Sequence, residues 1–254
     1  MKLFDLKGKV AVVFGGTSGI GKAISIGMME AGAEVVPISR DKVKVNEMLK
    51  EINRFQKKVI EVESDVTNKD SVKRTLESVL KAFGKVDILI NSAGAHIKKN
   101  SLEITEKEWD HVIDTNLKGT FLTCQVFGEQ MQKQKDGRII NIASLGAHVA
   151  LLETAPYCAS KAGVLLLTKC LAVECAKYNI RVNCISPGVF RTTLNEKALT
   201  DPDRLDRIIS NTPMHRLGQT KELVGAAIYL ASDASSFVTG ENISVDGGFL
   251  AWGI

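Results

Sequence analysis

The chain has 254 residues, 44% of them hydrophobic and 24% charged, with 33 Lys plus Arg against 29 Asp plus Glu and a formal charge of +4. That length and apolar share suffice for one domain with a sizeable core and exclude a mainly disordered chain. The slight positive balance, with no dense Lys/Arg run, gives no footing for nucleic acid, and no apolar run approaches the roughly 18 residues of a membrane span.

The N-terminus runs straight into a short apolar segment without a leader pattern, so a soluble, cytoplasmic chain with a small-molecule partner is expected. Short apolar runs then alternate with longer helical patterns. The runs lie at 10–14, 34–38, 59–62, 86–90, 138–142, 180–185 and 242–245, and several are almost wholly apolar, as strands covered on both faces are. Helices are expected at 20–31, 42–54, 69–83, 106–132, 156–178 and 221–231, with Thr105 and Glu108 spaced as a capping box. This cadence predicts an α/β fold: one domain over 1–254, a doubly wound, mostly parallel sheet of about seven strands with helices on both faces.

The weakly patterned stretch 189–218 follows Pro187-Gly188 and contains Pro202 and Pro213. A segment that long in a compact fold reads as a lid, with 203–209 as its helical piece. The helices at 106–132 and 156–178 are apolar around much of their girth, more than one sheet face covers, which points to self-association. The tail 249–254 is expected to border a pocket.

After the first strand comes a glycine turn, Gly15-Gly16-Thr17-Ser18-Gly19-Ile20-Gly21. Glycines let a diphosphate approach backbone N–H groups, and the helix behind presents its positive end. Gly15, Thr17, Ser18, Gly19, Ile20 and Gly21 are therefore candidate cofactor contacts. No Lys-Ser/Thr pair follows, which disfavours a phosphate-loop nucleotidase. The second strand ends in Ser39-Arg40, where an acidic residue would otherwise hold the ribose hydroxyls of NAD. An arginine there suits a 2′-phosphate, so NADP(H) is favoured and NAD(H) stays possible; Arg40 paired with Asp41, or Asp41 reaching the ribose itself, remain open alternatives. Asp65-Val66 and Asn91-Ser92-Ala93-Gly94 follow two further strands and complete the candidate lining, with Asp65 equally readable as a turn residue.

Tyr157 and Lys161 stand one helical turn apart, so an ammonium can favour the phenolate and bring the phenol toward acid/base work. Ser144 follows the strand at 138–142 and can bond a substrate oxygen, while Asn116 can hold a water that links Lys161 to solvent. His96 and His148 are each either pocket or surface residues. With His111 and His215 they lack metal-ligand spacing, so no metal is expected. Cys124, Cys158, Cys170, Cys175 and Cys184 show neither a disulfide framework nor a zinc pattern and read as small buried side chains.

These motifs together, with Pro187-Gly188, resemble the short-chain dehydrogenase/reductase family over essentially the whole chain. The resemblance implies a Rossmann-type domain, a homotetramer joined through the two long helices, and no metal in the chemistry. It implies Tyr157 as general acid/base, Lys161 on the nicotinamide ribose and lowering the phenol's pKa, Ser144 orienting the substrate oxygen, and Asn116 holding a relay water. It also implies Pro187 and Gly188 as cofactor contacts. Two positions depart from the family pattern: Phe14 replaces a hydroxyl residue before the turn, and Ser92 replaces an asparagine.

The segment from Thr212 to the C-terminus is similar to members acting on sugar acids and polyols, gluconate 5-dehydrogenases above all. The expected reaction is reversible hydride transfer between nicotinamide C4 and a secondary alcohol or ketone. His96, Ser144, Tyr157 and Arg191 are the candidate substrate residues, with Thr192, Asn195 and Arg216 equally readable as lid or surface. A 3-oxoacyl-thioester reductase is the enzyme alternative; a dinucleotide-binding regulator without catalysis is the other.

Overall fold

The computed structural model describes residues 2–193 and 195–252; residue 194 of the 189–218 segment and residues 253 and 254 of the tail lie outside it. The elements run β1 (Val10–Phe14), α1 (Gly19–Glu30), β2 (Glu34–Ile38), α2 (Lys42–Ile52), α3 (Lys69–Phe83), β3 (Ile88–Asn91), α4 (Glu106–Ile113), a π-helical turn (Asp114–Lys118), α5 (Gly119–Gln134) and β4 (Gly137–Ile142). They continue with α6 (Ala155–Cys175), β5 (Ile180–Pro187), α7 (Pro202–Ser210), α8 (Val224–Ala231) and β6 (Asn242–Val245). The strands form one parallel sheet in the order β2-β1-β3-β4-β5-β6.

Alternating strand residues divide the core into two layers. Ala11, Val13, Ile88, Ile90, Ile140 and Ile185 face α1, α2 and α8, while Val10, Val12, Phe14, Leu89, Ile139 and Val182 face α3, α5 and α6. Strands buried on both faces read as near-continuous apolar runs, which is why they stood out without alternation. The sheet's N-terminal edge is tied by Asp87, 6% exposed, whose carboxylate accepts from Val10 N at 2.8 Å and pairs with Lys85 at 2.9 Å.

Two sequence expectations are corrected. The run 59–62 is not a strand; it lies beyond β2 at the sheet margin, where pairing is reduced to one bridge between Ser39 and Glu63. Val59 and Ile60 are only half-buried there, and charged Glu61 and Glu63 flank Val62, a composition that blunts an edge. Among the described residues six strands therefore replace the expected seven. The helix expected at 106–132 is interrupted by the π turn, which inserts an extra residue and buries Asn116 completely.

The chain leaves β1 toward β2 and returns to β3 on the other side of β1, so a crevice opens at the carboxyl ends of β1 and β3. A Cβ on Gly15 (φ +76°) would stand 2.6 Å from Ala93 N, so glycine is required for the two loops to meet there. Gly21 is likewise held against Gly15 O. The missing hydroxyl at Phe14 has two replacements: Ser25 of α1 donates to Gly16 O at 3.2 Å, and the Phe14 ring packs edge-on against Phe127 at 5.6 Å.

The stretch 189–218 carries α7, none of whose residues is fully buried, and its two ends are clasped. Phe190 bridges Gly218, Gly218 N donates to Val189 O at 3.0 Å, and the buried Phe190 ring occupies the space where a Cβ on Gly218 would stand. Gly218→Ala should push that ring out at a cost of about 1–3 kcal/mol. Limited proteolysis within 189–218 should accelerate relative to the rest of the chain; unchanged cleavage would show that the clasp does not hold the segment.

Candidate active site

A cavity of about 470 Å³, of ligand-pocket size, fills the crevice. Gly15, Ser18, Gly19, Ile20 and Gly21 line one end, Ser39 and Arg40 the far wall, and Val66, Ala93 and Gly94 the floor. Ser144, Tyr157, Lys161, Pro187 and Gly188 complete it. The strand order thus brings these residues from seven separate segments to one place.

The distal wall is cationic. Asp41 does not pair with Arg40: its Oδ1 caps α2, accepting from Val43 N at 2.9 Å and Lys44 N at 3.3 Å, and Ser39 Oγ accepts from Asp41 N at 3.1 Å. Arg40 has no ion pair among the described residues and faces the cavity with Lys44, which sequence reading missed. A lysine three residues past a helix cap was the available signal, because it lies on the helix's first turn above the second strand's end.

At the other end α6 begins with Ala155-Pro156, and Tyr157 and Lys161 share a face. Lys161 is 5% exposed and donates to Ile142 O at 2.8 Å; burial lowers its ammonium to about 8, against an opposing pull from Cys184. Burial also raises the Tyr157 phenol above its usual value near 10, and hydrogen bonding to Ser144 pulls the other way. The expectation that Lys161 sets the phenol low is therefore corrected for the protein alone: Nζ lies 5.8 Å from the ring centroid, turned to the Ile142 carbonyl, and desolvation prevails. Ser144 Oγ also accepts from Gly146 N at 3.1 Å, fixing the loop after β4.

Asn116 lies behind the cavity rather than on its wall. Its Oδ1 accepts from Ala95 N at 2.7 Å, and its Nδ2 donates to Ala95 O at 3.0 Å and Ser160 Oγ at 2.9 Å. The side chain thus clamps the loop after β3 to the first turn of α6. His96, on that loop, packs its ring against Tyr157 with centroids 4.9 Å apart.

Several expected contacts lie elsewhere. Thr17 is not part of the cavity wall. Asp65 closes a local turn, its Oδ1 accepting from Thr67 N and Oγ1 at 2.9 and 2.8 Å. Asn91 is turned into the core: Nδ2 donates to Asn141 Oδ1 at 2.9 Å, and Oδ1 accepts from Thr123 at 2.8 Å. Arg191 lines a shallow depression over Lys22 and Ile26 of α1, outside the cavity, while its neighbours Thr192 and Asn195 do face the cavity. Arg216 is paired with Glu222 at 2.7 Å beside a second cavity. His148 bonds Ser186 of β5 at 3.1 Å and is not part of the cavity wall. Among the cysteines, Cys124 and Cys184 are buried, and burial pushes their thiols up to about 12 and about 11; Cys170 is exposed, against expectation.

The sequence matches the family described as Enoyl-(Acyl carrier protein) reductase over residues 15–250. It is 39% identical to an NAD-dependent glycerol dehydrogenase of Listeria innocua, over 98% of this chain and 96% of that one. It is 36% identical to a 2-dehydro-3-deoxy-D-gluconate 5-dehydrogenase of Dickeya dadantii, over 99% of each. A solved gluconate 5-dehydrogenase from Burkholderia cenocepacia, in complex with NADP and tartrate, superimposes with a TM-score of 0.95 at 33% identity, over 99% of this chain and 98% of that one. With this fold, this crevice and these likenesses, the chain belongs to the short-chain dehydrogenase/reductase family and is an NAD(P)-dependent oxidoreductase acting on CH–OH groups.

Proposed function

We propose that the chain is an NADP-preferring dehydrogenase of sugar acids or polyols in which Tyr157 moves the hydroxyl proton. The observation that carries this reading is the convergence of Ser144, Tyr157 and Lys161 in the same cavity as the glycine turn. The cavity suits a dinucleotide: Gly15 and Gly21 let the turn pack closely on itself and on the Ser92–Ala93 backbone, which sets the turn at one end of the cavity, and Arg40 and Lys44 offer two cations at the distal wall. Arg40 and Lys44 would hold a 2′-phosphate, the turn the diphosphate, and Ala93, Gly94, Pro187 and Gly188 the remainder. The NADP found with the Burkholderia relative supports NADP(H) as a cofactor, while the preference over NAD rests on the two cations. When bound, the nicotinamide supplies or accepts the hydride.

The protein's own groups handle the oxygen and its proton. During oxidation the Tyr157 oxygen takes the proton from the substrate hydroxyl while Ser144 donates a hydrogen bond to the same oxygen; reduction reverses both. The Lys161 ammonium supplies positive charge beside the developing phenolate. Asn116, with its amide engaged on Ala95 and Ser160, positions α6 rather than touching substrate. The clasped segment 189–218 acts as the lid, excluding water from the proton transfer. Outward-facing apolar residues on α5 and α6, Phe121, Leu166 and Val173, support a homotetramer.

The experiment is a steady-state panel of D-gluconate, 5-ketogluconate, glycerol, threitol and a 3-oxoacyl thioester with both cofactors. Turnover of a sugar acid or polyol is expected. Turnover of the thioester alone would favour the acyl-carrier reading, and cofactor binding with no turnover the regulatory one. Tyr157→Phe should lose at least about 100-fold in kcat while keeping NADP affinity. Oxidation needs the unprotonated phenol, so with its pKa raised the oxidation rate should climb as pH rises from 7, by up to about tenfold per unit, while reduction should not. A pH-independent oxidation step in wild type would remove Tyr157 from the role.

Arg40→Ala should raise the KM for NADP about 10- to 100-fold and leave NAD nearly unchanged. Equal losses for the two cofactors would refute the 2′-phosphate assignment. Light scattering should give a tetramer for wild type and a smaller species for Val173→Asp, whose side chain is 80% exposed in the isolated chain. A monomeric wild type would overturn the assembly.

A further inference from the structure

Resting on the reading of Tyr157 as the proton carrier, we infer that His96 is a positioning residue: its ring sets the heading of the Tyr157 ring and so aims the phenol oxygen at the substrate hydroxyl. The sequence offered His96 as a substrate contact, but the structure sets it against the Tyr157 ring and not among the residues of the cavity wall. The two ring centroids lie 4.9 Å apart with planes at 69°, the edge-to-face arrangement that aromatic pairs favour. No other group on the page can do this work during the reaction. Ser144 bonds the phenol in the free protein but turns to the substrate oxygen in the proposed chemistry, and Lys161 is held by the Ile142 carbonyl, 5.8 Å from the ring centroid.

The loop that carries His96 is anchored on both sides of it. On one side Asn116 accepts from Ala95 N at 2.7 Å and donates to Ala95 O at 3.0 Å, and the same amide donates to Ser160, which in turn donates to Tyr157 O at 2.7 Å. One buried side chain thus sets the backbone before His96 and the backbone of Tyr157 together. On the other side Lys99 N donates to Glu153 O at 2.9 Å, and Lys98 pairs with the Glu153 carboxylate at 3.2 Å, which ties the loop to the approach to α6. The ring of His96 is carried by this frame to the phenol.

The contact is one of packing. Among the described residues the His96 ring makes no hydrogen bond. Burial, then Arg204 and Lys98, lower its pKa, so at pH 7 two uncharged rings meet. A fixed backbone still leaves a tyrosine its two side-chain torsions, and the second of these has a broad minimum. A flat ring pressed against the phenol narrows that minimum; a side chain without a ring does not. His96 takes no part in bond making, and its contribution is the placement of the oxygen that moves the proton.

The test compares wild type with His96→Phe, which keeps a ring, His96→Asn, which keeps polarity without one, and His96→Ala. Turnover of D-gluconate and glycerol with NADP, calorimetric affinity for NADPH, and the fluorine spectrum of cofactor-free protein labelled with 3-fluorotyrosine are measured. Tyr157→Phe identifies the Tyr157 signal among the three tyrosines. His96→Ala and His96→Asn should lower kcat about 10- to 100-fold, leave KM and the NADPH Kd within about threefold, and shift and broaden the Tyr157 signal. His96→Phe should restore kcat to within about threefold of wild type, with one sharp signal. An asparagine variant equal to wild type, or an unmoved signal in His96→Ala, would overturn the inference. Loss of NADPH affinity in step with kcat would also overturn it, because the whole loop would then have collapsed. A broadened Tyr157 signal with unchanged kcat would instead keep the ring contact and reject Tyr157 as the proton carrier.

Discussion

The site depends on one close approach: the backbone of Gly15 lies against Ser92 and Ala93 with no room for a side chain between them. This contact joins the loop after β1 to the loop after β3 at the point where the sheet changes direction. A side chain there would wedge the loops apart, and with them the diphosphate turn and the floor formed by Ala93 and Gly94. The same loop continues to Ala95 and His96, which Asn116 and Tyr157 hold at the opposite end of the cavity. Cofactor wall and acid/base end are therefore parts of one continuous scaffold.

The second organising feature is the π turn. A regular helix from 106 onward would carry Asn116 on a different heading. The extra residue turns its amide toward Ala95 and Ser160, where both N–H donors are used and the oxygen accepts from Ala95 N. Ser160 in turn donates to Tyr157 O at 2.7 Å, so the backbone that carries the phenol is fixed from below. Lys161 is immobilised by the Ile142 carbonyl on the adjacent strand. Such support makes proton transfer a matter of placement, with little rearrangement left to do when substrate arrives.

Much of this was legible in the chain. The fully apolar runs marked the buried strands because both faces of a parallel sheet are covered, and the glycine spacing marked the turn because only backbone fits there. Ser144, Tyr157 and Lys161 stood out through spacing relative to those elements. The failures have physical causes. Residues 59–62 look like a strand because hydrophobicity does not reveal that a segment lies at an edge with nothing beyond it. Asn91 and Asp65 sit at strand ends, as ligands do, but neighbours that cannot be inferred from sequence distance (Asn141, Thr123 and Thr67) take up their polar groups. Arg191 lies in an irregular segment, and only the path of the chain decides that it lines the depression over α1 rather than the cavity.

The Phe14–Phe127 pair has a thermal consequence. Where a hydroxyl would brace the turn through a hydrogen bond, here an edge-on aromatic contact shares the work with Ser25. Hydrophobic contacts weaken on cooling because the cost of hydrating apolar surface falls. The apolar share of what braces the diphosphate-binding loop in this chain is thereby tied to solvent entropy and shrinks as the water nears freezing.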